Sequence, residues 1–171
     1  MQHENFEGLK STIVDEGLKY WTEKCGNRLM PRWADINPAE IKHLLPNLVL
    51  IHVEYDPLDF IERITGDVIL SHSAQNSMGK RWRTYEGRGP DSKIWQSMEE
   101  VVNTCKINRN SIPYVGPQKY FKGIETVICP ISEDGTTVTR LLTFVDYIAR
   151  TDSQVESEVA LKHISRFTLP R

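Results

Sequence analysis

Cysteine is scarce in this 171-residue sequence. Cys25, Cys105 and Cys129 are odd in number, widely spaced and form no Cys-x-x-Cys pair. A zinc knuckle and a thioredoxin-type motif are therefore excluded. Free, partly buried thiols suit a reducing compartment, so the expected location is cytoplasmic. Long apolar runs are also missing. The longest, Leu48 to Ile51, falls far short of the ~18 residues of a membrane span, and Met1 to Asn5 carry neither the basic nor the apolar region of a signal peptide. Positive charge is not in excess. The formal net charge is −2 and the pI about 6.2, which disfavours a polyanion partner because neutralising phosphates needs a concentrated basic face. The one basic cluster, Lys80-Arg81-Trp82-Arg83 with Arg88, reads as a solvated loop. No nucleic-acid or membrane partner is expected.

Catalytic signatures are missing as well. There is no Gly-x-Ser-x-Gly elbow, phosphate loop or dinucleotide fingerprint. Cys129 lies within a strand-like run, an inert setting for a thiol. Glu99 and Glu100 fall on the outer side of a helix. His43 and His52 have no metal spacing, and a lone His72 is too little for a metal or haem. The expectation is a protein that is not an enzyme and has no metal site.

What is present is enough apolar residue for one domain. Apolar content is 39%, and a chain of this length buries roughly 70% of its unfolded surface. Phe6, Leu9, Ile13, Leu18 and Trp21, with Val14 and Gly17 between them, recur at helical period and predict an amphipathic helix from about Phe6 to Lys24, ended near Gly26. Its stripe must cover either its own domain or a second copy. Asn37-Pro38-Ala39-Glu40 has the residues of a helix start, Asn37 as cap and Glu40 as reciprocal carboxylate, and Pro46 stops that helix. Leu48–Tyr55 and Phe60–Thr65 read as a hairpin around Asp56-Pro57-Leu58-Asp59. Gly66-Asp67 opens a short helical stretch to His72, and 76–89 reads as irregular. Pro90–Lys106 is a helix with Ile94, Met98, Val101, Val102 and Cys105 on one face. Three strands follow, Ile112–Phe121, Ile124–Ile131 and Thr137–Ile148, the last two joined through Asp134-Gly135. This order predicts an α+β domain with one antiparallel sheet and helices on one face.

Tyr20-Trp21, Arg28, Pro31-Arg32, Asp35-Ile36-Asn37-Pro38 and Leu44-Leu45-Pro46-Asn47 resemble, in order and spacing, the opening of a bacterial family of stand-alone PAS-like domains. Phe60 to Gly66 is similar to that family's second strand with its Arg-x-x-Gly ending. Gly79 and the run from Glu125 through Pro130-Ile131-Ser132 to Asp134-Gly135 fit later pieces. Ser111 to Lys122 matches poorly. The resemblance implies a PAS-like five-stranded antiparallel sheet at 18–148, with an N-terminal helical extension at 1–17 and a tail at 149–171. It also implies a cytoplasmic, non-catalytic sensory domain in signal transduction, with a homodimer through the N-terminal helix or a signalling protein in trans as partner. The cofactor is left unknown, since neither a flavin nor a haem signature is present.

The interior between the Pro90–Lys106 helix and the sheet is where such a fold holds a small ligand. Arg63, His72, Trp95, Met98 and Phe144 are the candidate ligand-binding residues, with Arg63 a grip for an acidic group if it faces inward. Tyr20, Trp21, Arg28, Pro31, Arg32, Asp35, Pro38 and Pro46 are expected to be structural. Arg28 and Arg32 have the chemistry of an anion fork, but pairing with Asp35 to pin the loop is the simpler role. The alternatives are a ligand-free interaction adaptor with a filled core, and a small enzyme using Arg63 and His72 on an acidic metabolite.

Overall fold

A computed structural model describes residues 10–114 and 116–150. Five strands, β1 (Leu48–Glu54), β2 (Asp59–Thr65), β3 (Asn108–Pro113), β4 (Phe121–Ile131) and β5 (Arg140–Ala149), form one antiparallel sheet in the order β2-β1-β5-β4-β3. Three α-helices, α1 (Thr12–Cys25), α2 (Asp67–His72) and α3 (Lys93–Thr104), pack on it. Short 3-10 turns cover Trp33–Asp35, Pro38–Ile41, Leu45–Asn47 and Trp82–Thr84. Among the described residues no helix is long and apolar enough to cross a membrane.

Alternation along β4 and β5 divides the molecule. Thr126, Thr143, Val145 and Tyr147 face α2 and α3. Glu125, Phe144 and Asp146 face α1 on the opposite side. The helix expected from Phe6 begins at Thr12, because Ser11 caps it: its hydroxyl accepts from the Val14 N–H at 3.1 Å. Residues 6–9 of that expectation lie outside the described residues. α1 runs across the boundary expected at residue 18.

The stripe α1 buries is Val14, Gly17, Tyr20, Trp21 and Cys25, with Ile13 and Leu18 only partly covered. It lies on its own sheet. Gly17 sits directly on the ring of the fully buried Phe144, so close that a Cβ would overlap it. The Trp21 indole N–H donates to the Pro130 carbonyl at 2.8 Å. The outer face, with Thr12, Asp15, Glu16, Lys19 and Glu23, is exposed and mostly charged.

Two carboxylates from the sheet hold the start of α1. Glu125, itself buried, accepts from the Lys10 and Ser11 N–H groups at 2.8 and 2.9 Å, and the Ser11 hydroxyl donates to Asp146 at 2.7 Å. Negative charge at a helix N-terminus is favourable there.

Strand β3 starts at Asn108 rather than Ile112, and the chain leaves the sheet at Tyr114. The polar run Asn108-Arg109-Asn110 hides an alternation that is polar on both faces. Asn108 and Asn110 turn to α3, where they donate to Glu100 and Ser97. Arg109 turns the other way and meets Asp15 of α1 at 2.6 Å. The reciprocal cap expected of Glu40 does not form: Asn37 accepts from the Ala39 N–H, while Glu40 pairs with Lys24.

Candidate functional site: a cavity on the α2–α3 face of the sheet

A cavity of about 840 Å³ lies between the sheet and the layer made by α2, the 73–88 segment and α3. Val49, Ile51, Thr126, Thr143, Val145 and Tyr147 form its floor, and Ile69, His72, Trp82, Ile94 and Met98 its walls. Its volume lies in the range of small-molecule sites. The basic cluster is solvated as expected at Lys80, Arg81 and Arg83, but the segment is tethered. Arg81 pairs with Glu54 at 2.6 Å, the Arg83 Nε–H donates to the Leu58 carbonyl, and Arg88 covers the Trp82 ring. These contacts tie the 80–88 segment to the β1–β2 hairpin, and Trp82 is buried as a wall.

The sequence candidates separate by strand register. His72 and Met98 line the cavity. Arg63 does not. A bulge, in which Leu50 pairs with Ile64 and Ile51 with Glu62, leaves Arg63 unpaired and exposed. The same bulge turns Glu62, only 3% exposed, into the cavity. Trp95 is 1% exposed and packs edge-on against Phe60, ring centroids 4.7 Å apart; it fills the core rather than lining the cavity. Phe144 lies on the opposite face beneath Gly17.

Sequence reasoning missed Glu62, Trp82 and Thr143. For Glu62 the usable signal was its two-residue step from Phe60. For Trp82 none existed in a polar, glycine-bearing segment.

Polar groups in the lining are unevenly satisfied. The Glu62 carboxylate accepts from the Ser77 hydroxyl at 2.6 Å and from the Thr65 hydroxyl. The Trp82 Nε1, Thr143 Oγ1 and His72 Nδ1 atoms are buried without a hydrogen-bond partner among the described residues. Buried polar atoms are nearly always partnered by protein or water, so these three are open to a molecule in the cavity. The His72 ring stands edge-on to Phe121 and Tyr147, and Tyr114 donates to the His72 carbonyl. Burial pushes the Tyr147 phenol up to about 12. Among the described residues no group of three or more His, Cys, Asp or Glu side chains could hold a metal ion.

The block from Tyr20 to Asn47 works as a brace. The Tyr20 hydroxyl accepts from the Asn37 N–H at 2.7 Å and donates to the Asn37 carbonyl. Asp35 accepts from the Arg32 N–H and from Arg28, each at 2.7 Å. The Arg32 N–H first, and then the Arg28 guanidinium, hold the Asp35 carboxyl below its usual range. Arg28 is thus spent on Asp35 rather than on an anion. Pro31 accepts from the Ser132 N–H, Pro38 opens a 3-10 turn, and Pro46 sits in the next one.

The sequence profile of the PAS domain family matches residues 10–105, more than half of the chain. The chain belongs to the PAS domain family. The matched part of this PAS domain contains the brace, β1, β2, α2 and α3, and so the cavity walls formed by Ile69, His72, Trp82, Ile94 and Met98. No curated protein matches the chain. Among solved structures it is similar to one presented as "Flavin Analogue Sheds Light on Light-Oxygen-Voltage Domain Mechanism". That match has 11% identity and a TM-score of 0.47, and it covers 74% of this chain and 93% of that one.

Two thiols of this PAS domain, Cys25 and Cys129, are poor nucleophiles. Burial pushes Cys25 up to about 11 and Cys129 well above the usual thiol range. The sign follows from linkage. An acid whose folded pKa is raised contributes stability that is full below its unfolded value and is lost as pH rises through the folded one. For Cys25 that window runs from 9.0 to about 11. The melting temperature is expected to fall across it, and to fall less in Cys25→Ala. Melts at pH 8, 9, 10 and 11 on both proteins check this; parallel curves would contradict it.

Proposed function

We propose that this PAS domain is a cytoplasmic sensor that binds a small molecule in the cavity and passes its occupancy to a protein partner without catalysing a reaction. The carrying observation is the cavity of about 840 Å³ whose lining contains three buried polar atoms with no partner. A filled core leaves no such volume, and a molecule in the cavity can partner these groups.

The strand alternation supports a route for the signal. Thr126 and Val145 line the cavity, while their chain neighbours Glu125 and Asp146 hold the start of α1 on the other face. A ligand that prefers one arrangement of β4 and β5 biases α1 by as much as its affinity differs between the two. The partner is a second copy of the chain or a signalling protein in trans. Because the apolar stripe of α1 is covered by its own sheet, a dimer through this helix would use its charged outer face.

The test is a thermal-shift screen of a metabolite library on the wild type and on Ile94→Trp. Ile94 is a half-buried wall residue, and an indole there intrudes into the cavity. Saturation at about 100 times Kd stabilises by about 2.7 kcal/mol, so a true ligand is expected to raise the wild-type melting temperature by roughly 5–10 °C and the variant's far less. A library with no such compound, or equal shifts in both proteins, would favour a pure interaction adaptor.

A further inference from the structure

Glu62 is a buried carboxylate in the cavity wall, and among the described residues it takes part in no ion pair. Its only partners are the hydroxyls of Ser77 and Thr65. An ionised carboxylate accepts about four hydrogen bonds, and burial without a cation costs free energy. The register puts a second polar group on the same face. Thr65 pairs with Val49 and Val49 with Thr143, so Thr65 and Thr143 flank Val49 on one face, about 10 Å apart. Thr143 is 3% exposed and its hydroxyl has no partner among the described residues. Trp82, also 3% exposed, has an unpartnered indole N–H in the same lining.

The far end of the cavity is aromatic. Tyr147 lies four residues along β5 from Thr143, about 13 Å away, and clusters with His72 and Tyr114. Basic side chains in the lining are Lys93, which is exposed, and Arg88, which is stacked on Trp82.

We propose, resting on the cavity reading above, that the ligand is an aromatic amine. Its protonated nitrogen is held by Glu62, and its ring lies toward Thr143 and Tyr147. An ammonium group has three donors for the carboxylate lone pairs that Ser77 and Thr65 leave open. Its bond to the carboxylate is charge-assisted and about twice as strong as a neutral one. The Trp82 N–H only donates, so it selects an acceptor atom or a π-face of the ligand. An acid placed at this end would put like charge beside Glu62 and leave the carboxylate unpaired.

The test compares three probes of one shape, tryptamine, indole-3-ethanol and indole-3-acetate, by calorimetric titration at pH 7. Tryptamine is expected to bind about tenfold or more tighter than the alcohol, and the acid weakest. In Glu62→Gln the preference for the amine over the alcohol is expected to fall to within about twofold, with alcohol binding kept as the sign of an intact cavity. If that variant does not fold, the wild-type ranking decides alone. Equal binding of amine and alcohol, or tightest binding of the acid, overturns the amine assignment and leaves the cavity reading standing. No binding by any of the three overturns both.

Discussion

Trp95→Ala is expected to destabilise the domain by about 4 kcal/mol, the cost of deleting a large buried aromatic together with the void it leaves. Trp95 is 1% exposed on the inward face of α3, and its ring meets Phe60 of β2 edge-on. Arg83 covers it from the segment that carries Trp82. One side chain thus joins α3, β2 and the 80–88 segment, which are three walls of the cavity. For a chain of this size the loss corresponds to roughly 12 °C in melting temperature. The measurement is urea unfolding followed by circular dichroism. A loss below about 1 kcal/mol would show that Trp95 is not a core residue. Because Trp95 does not line the cavity, the variant is expected to bind any ligand normally below its melting temperature. Loss of binding in the folded variant would return Trp95 to the ligand site.

Gly66→Ala is expected to cost about 3 kcal/mol, roughly 9 °C, through overpacking. The backbone angles are not the reason, because Gly66 has φ −68° and ψ 154°, open to any residue. Space is the reason. A Cβ there would overlap the carbonyl oxygens of Leu45 and Pro46, which are backbone atoms of a 3-10 turn and cannot swing away. The Gly66 N–H donates to the Leu48 carbonyl at 2.8 Å, and its own carbonyl accepts from Leu70. Relief of the clash would therefore move α2, with Ile69 and His72 of the cavity wall. A thermal melt decides this, and a melting temperature within about 2 °C of wild type would contradict the close approach.

Much of this architecture was legible in the sequence because it rests on apolar periodicity. The two hairpins show as apolar, β-branched runs around Asp56-Pro57 and Asp134-Gly135. The face of α3 shows as Met98, Val101 and Val102 at helical spacing. The Tyr20–Asn47 block was readable for another reason: its hydrogen bonds run between residues of fixed type at short separations, such as Arg28 with Asp35.

What stayed hidden was long-range. β3 is satisfied by polar partners from two different helices, so no local pattern marks it. The inward face of β2 depends on a one-residue bulge that exchanges Arg63 for Glu62. Phe144 looked like a cavity residue until the opposite face of the sheet proved to be covered by α1 at Gly17.

Ligand binding between the sheet and α3 is visible in a two-dimensional ¹H–¹⁵N correlation spectrum. The indole N–H groups report separately on the two faces of the sheet. Trp82 lines the cavity, and Trp21 donates to Pro130 on the other side. Indole added at millimolar concentration, where a fragment of this size is expected to bind, should shift the Trp82 indole signal and the amides of Thr126 and Thr143. The Trp21 signal should stay in place. Shifts confined to Trp21 or to the exposed face of α1, with Trp82 unmoved, would show that ligands do not bind between the sheet and α3.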